Sequence, residues 1–115
     1  MRKWGGILSL IAFSLLLQAG CGSARRDEPL VGPLPITDAA VGRGEKIFMK
    51  KCNQCHPKGD AGLGPGLNNK PLPGFMVKFQ VRMGAGAMPS FSKEEISKAE
   101  LNDVVHYLKA LRRHG

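Results

Sequence analysis

Two of the three cysteines and one of the three histidines stand together as Cys52-Asn53-Gln54-Cys55-His56. Thiols three positions apart can each add to one vinyl group of a haem. A histidine beside the second thiol then lies under the iron, where its imidazole can ligate the proximal side. The run C-x-x-C-H is therefore read as a covalent haem attachment site. A zinc site built on the same residues would need a fourth ligand, and adjacent Cys55 and His56 do not converge easily on one tetrahedral centre. A redox dithiol would be expected in a βαβ context, which the surrounding pattern does not supply.

The elements that must position this pentapeptide read as helices. Thr37-Asp38 offers an N-cap, and Val41, Gly44, Glu45, Phe48 and Cys52 recur at spacings of three and four, so a first helix is expected over about 38–51. Gly42 and Gly44 would each weaken it by about 1 kcal/mol relative to alanine. A helix that tolerates them usually lets another backbone come close. Near the other end, Ser97 and Glu100 form a capping box, and Ile96 with Leu101 forms a hydrophobic staple. Leu101, Val104, Val105, Leu108 and Leu111 then trace one apolar face to about Arg113, with Lys109, Arg112 and Arg113 placed where the helix dipole favours them. Residues 57–74, rich in Gly, Pro and Asn, read as loop, and Phe75 to Met83 as a short helix stopped by Gly84. No strand is expected.

From Val41 to Leu111 the chain resembles a class I cytochrome c, the small all-α, single-haem family of electron carriers, and the match runs through four segments in the family's order. Gly44-Glu45-Lys46-Ile47-Phe48 resembles the G-x-x-x-F signature whose glycine lets the first and last helices cross closely. Gly64-Pro65-Gly66-Leu67 resembles the loop whose proline carbonyl, in that family, accepts a hydrogen bond from the axial histidine and fixes its orientation. Gly84-Ala85-Gly86-Ala87-Met88-Pro89 resembles the segment that delivers the second axial ligand. Glu100 to Leu111, with Tyr107, resembles the C-terminal helix. The resemblance implies a cytochrome c fold of three to four helices around one covalently attached haem c. It assigns Cys52, Cys55, His56, Pro65 and Met88 to that group, with His56 and Met88 on the iron.

Spacing alone leaves Met83 as an alternative to Met88, or an open or His-ligated iron. Met49 and Met76 sit in helical patterns and read as packing residues. Met83 closes the apolar side of a helix, whereas Met88 lies in what reads as an extended Gly-rich segment kept out of helix by Pro89. His106 is expected on the polar side of the last helix and His114 on a frayed, solvated terminus.

The remaining cysteine belongs to the N-terminus. Met1-Arg2-Lys3 and the apolar run Trp4 to Ala19 read as an export signal, too short to be a stable span. Leu17-Gln18-Ala19-Gly20-Cys21 resembles a bacterial lipobox, in which Cys21 would become the lipidated first residue. Gln18 departs from that pattern, and ordinary cleavage after Ala24 is the alternative. Residues 1–20 are thus expected to be a signal, 21–36 a Pro-rich linker and 37–115 one cytochrome c domain on the periplasmic side of a bacterial membrane.

Seventeen basic residues against nine acidic ones give the chain a net charge of +8. Lys46, Lys50, Lys51, Lys58, Lys78, Arg82 and Lys93 flank the motif segments and read as a basic collar for acidic redox partners, against the alternative of a generally basic surface. Nucleic acid is not an expected partner, and no Ser-His-Asp set, paired-carboxylate site or phosphate loop points to an enzyme. The expected function is single-electron transport. The alternatives are a dissociable electron-transfer subunit of a periplasmic oxidoreductase, or a haem sensor or peroxidase should the methionine not bind.

Overall fold

Asp38 opens the first helix as expected: its carboxylate accepts from the backbone N–H of Ala40 at 2.7 Å and of Val41 at 3.3 Å. The computed structural model describes residues 32–114, so the proposed signal, Cys21 and most of the proposed linker lie outside the described residues. Helix α1 spans Ala39–Lys51, α2 Gly74–Met83 and α3 Lys98–His114, with a single 3-10 turn at Pro57–Gly59 inside the long loop. Among the described residues there is no strand, only one isolated bridge between Ala85 and Met88. The all-α expectation therefore holds.

The capping box at the start of α3 is reciprocal. The Glu100 carboxylate accepts from the Ser97 backbone N–H at 2.7 Å, and the Ser97 hydroxyl accepts from the Glu100 N–H at 3.1 Å. Helices α1 and α3 cross at Gly44, where a Cβ would lie 2.0 Å from the Asp103 carbonyl oxygen and 3.0 Å from Tyr107 Cβ. Phe48 and Tyr107 stack at a tilt one turn further on, with ring centroids 5.1 Å apart, and Phe48, Ile96 and Leu111 are the fully buried large side chains. The ends of the crossing are tied by Arg43, whose Nε donates to Asp103 at 2.8 Å. Val105 is buried as well and faces α2, since a Cβ at Gly74 would sit 2.9 Å from Val105 Cγ1.

Candidate haem site

The last turn of α1 delivers the two thiols. Cys52 donates its backbone N–H to Phe48 and accepts from Cys55 at 3.1 Å and from His56 at 2.9 Å, so Cys52, Cys55 and His56 turn together off the helix end. Both cysteines are half-buried and unpaired, and Cys52 packs against the core. Burial, with a smaller contribution from Cys55, pushes the Cys52 thiol up to about 11. That is opposite to the lowered value a redox dithiol needs.

His56 is buried, and its Nδ1 lies 2.7 Å from the Pro65 carbonyl oxygen. A carbonyl can only accept, so Nδ1 carries the proton and Nε2 is the nitrogen left with a lone pair. The loop reaches the ring because position 64 is glycine: a Cβ there would lie 2.3 Å from His56 Cε1. Hydrogen bonds from Gly64 N–H to the Cys55 carbonyl at 2.8 Å and from Asn68 N–H to the Gly59 carbonyl at 3.0 Å hold the loop in place. The same loop carries Asn69, whose side-chain amide is shielded on both its nitrogen and its oxygen with no hydrogen-bond partner. A pair of thiols one turn apart and a buried ring oriented by the Pro65 carbonyl suit a covalently held haem. Among the described residues, no group of three or more His, Cys, Asp or Glu side chains could hold a metal ion by itself.

Met88 does not lie in an extended segment. Ala85 and Met88 exchange backbone hydrogen bonds of 3.0 and 2.9 Å, which closes a tight turn with Gly86 at φ +55°. Gly84 enters it at φ +68°, where a Cβ would approach the Met88 carbonyl oxygen to 2.7 Å. Met88 packs against the core, whereas Met83 points outward and is 63% exposed. Met49 and Met76 are also exposed rather than packed. The outward face of each helix has nothing against it there, which periodicity alone does not register.

Arg82 is a further departure. Its Nη1 donates to the carbonyls of Phe91 at 3.0 Å and Ser92 at 2.8 Å, and Phe91 N–H donates to Val81 at 2.9 Å. Arg82 thus ties the segment leaving the Met88 turn to the end of α2, instead of standing free in a collar. Its position in sequence carried no signal of this. Similarly, His106 is exposed as expected, but His114 belongs to α3, is half-buried and has Nε2 shielded without a partner.

The family model described as cytochrome c oxidase, cbb3-type, subunit III matches residues 39–108, more than half of the chain. The chain belongs to the cytochrome c family. This cytochrome c is 32% identical over 102 residues to the 4-cresol dehydrogenase [hydroxylating] cytochrome c subunit of Pseudomonas putida, covering 89% of this chain and 78% of the relative. It is 33% identical over 82 residues to cytochrome c6 of Gloeothece citriformis, covering 64% of this chain and 74% of that protein. With cytochrome c6 of Cyanidioschyzon merolae the identity is 31% over 85 residues, covering 67% and 80% respectively. No solved structure matches it. Its cofactor is covalent haem c and its role is that of an electron carrier. Among the described residues of this cytochrome c, no helix is long and apolar enough to cross a membrane.

Proposed function

We propose that this cytochrome c carries single electrons on a haem c that Cys52 and Cys55 would hold covalently and whose iron His56 Nε2 and Met88 would ligate. The observation that carries the reading is the buried His56 ring, oriented through Nδ1 by the Pro65 carbonyl. When bound, haem supplies a one-electron iron couple, which a thioether ligand shifts toward the ferrous state. The protein's own residues do the rest. The Pro65 carbonyl fixes the plane of the His56 ring, Gly64 lets that loop close over the ring, and the turn at Ala85–Met88 presents a thioether from the core side. With both His56 and Met88 bound, the iron would have no coordination place for a substrate, which would separate a carrier from a sensor or peroxidase.

Export, residence on the periplasmic side and attachment through a lipid on Cys21 complete the reading, with residues 21–36 as tether and 37–115 as the redox domain. Exposed Lys46, Lys50, Lys58 and Lys93 would steer partners with acidic surfaces. A second reading, a subunit of a larger oxidoreductase, is favoured by the similarity to a dehydrogenase cytochrome subunit.

Acid-acetone extraction tests the attachment: colour should stay with the protein, and haem leaving with the solvent would refute the site. Carbon monoxide should leave the reduced spectrum unchanged at once, whereas an immediate shift would mark an open iron. A free carrier purifies as a monomer, and a subunit purifies with its oxidoreductase. A protein beginning at Cys21 and partitioning with membranes, but soluble as Cys21→Ser, would establish the tether.

A further inference from the structure

Helix α2 is apolar on two opposite sides. Val81 is buried and Val77 packs against the core together with Met88. At about 100° per residue, the side facing away from Val77 and Val81 carries Phe75, Phe79 and Met83, one above another, with Met76 beside them. These four are 72%, 65%, 63% and 46% exposed respectively. Single exposed apolar residues need no explanation, but four in register form a patch on the order of 500 Å², the size at which a patch on a small monomer is usually functional. Phenylalanine and methionine without an intervening acid are also what the central part of a protein interface contains.

Two further observations bear on what would cover it. The stripe runs from Met83 through Gly84 into the exposed residues 85–87, the turn that ends at Met88, so a body seated on α2 also rests against that turn. From 61 to 93 the chain holds Lys70, Lys78, Arg82 and Lys93 and no Asp or Glu. A second copy would set like charge against like charge. We propose that Phe75, Met76, Phe79 and Met83 form the docking face for a protein redox partner that offers an apolar socket rimmed by carboxylates. This rests on the electron-carrier reading and adds to it where the partner sits, on the outward side of α2 beside the Met88 turn rather than on the lysines of α1.

The test uses the full-length holoprotein in the cells that make it, with a photoreactive phenylalanine analogue at position 79 or, for comparison, at His106 on α3. Irradiation should cross-link position 79, and not 106, to a subunit of an oxidoreductase, identified by mass spectrometry. With that subunit purified, the double variant Phe75→Ser, Phe79→Ser should be reduced by it at least tenfold more slowly while keeping the wild-type absorption spectrum and potential. Lys78→Glu should weaken the salt dependence of the same rate. Cross-links from position 79 to lipid or to another copy of the chain, equal cross-linking from 106, or an unchanged rate in the double variant would each overturn the docking face alone. Wild-type protein lacking covalent haem, or not reduced by ascorbate or dithionite, would overturn the electron-carrier reading and the docking face with it.

Discussion

Arg82 donates to the Phe91 carbonyl at 3.0 Å, so a side chain in the last turn of α2 holds the backbone three residues beyond Met88. Together with the bond to Ser92 and the Phe91–Val81 backbone contact, it closes the loop that presents Met88 by fastening both of its ends to the same helix turn. Arg82→Ala should lose about 2 kcal/mol of stability, since two hydrogen bonds from a charged donor go. The weak sulfur-to-iron band at the red end of the oxidised spectrum should fade partially and the potential should fall. Arg82→Lys, able to reach one carbonyl, should recover part of both readouts. A variant with lower stability but an unchanged band and potential would restrict Arg82 to a structural role.

Met88→Ala should abolish that band outright and open the reduced iron to carbon monoxide, whereas Met83→Ala should leave the band in place, because Met83 faces outward. Loss of the band in Met83→Ala with its survival in Met88→Ala would reassign the ligand.

Gly44→Val tests the helix crossing. The added Cβ would meet the Asp103 carbonyl oxygen, a backbone atom 2.0 Å away that cannot swing aside. The variant should lose about 3 kcal/mol or more despite its better helix propensity, a fall in Tm on the order of 15 °C for a domain of this size. A melting temperature within a degree or two of wild type would place the crossing elsewhere.

The groups at the crossing should make stability fall at both extremes of pH. The hydrogen bond from Arg43 holds the Asp103 carboxyl below its ordinary value of 3.8. Its contribution is present above that value and is lost as pH falls through the lowered one. Glu95, held down by the Ser92 backbone N–H, acts in the same direction. Burial, and secondarily Glu45, pushes the Tyr107 phenol from 10.0 up to about 12. A raised acid favours the fold while neutral, so this contribution is present below pH 10 and is lost as pH rises toward 12. In urea melts across the range, Tyr107→Phe should flatten the alkaline fall and Asp103→Asn part of the acid one. An alkaline slope identical in Tyr107→Phe would remove Tyr107 from this account.

The features legible in the amino-acid sequence were those set by neighbours along the chain. The C-x-x-C-H run, the Asp38 cap, the Ser97–Glu100 box and the stop at Gly84 each depend on side chains reaching a backbone or partner within a few residues, at distances that helix geometry alone fixes. The close crossing at Gly44 was legible as well, because two glycines in a helix are costly unless another backbone is near. What the tertiary structure decided was direction. An apolar residue every three or four positions marks a face, but α2 has two such faces, and only the location of α3 and the core determines that Val77 and Val81 turn inward while Met76, Phe79 and Met83 turn out. Val105 turned toward Gly74, Arg82 toward Phe91, and His114 into a shielded position for the same reason: each depends on where a distant segment returns. The turn at Met88 closes only because Gly84 lets the chain pass over the Met88 carbonyl, and that close approach is a property of the folded path rather than of the spacing.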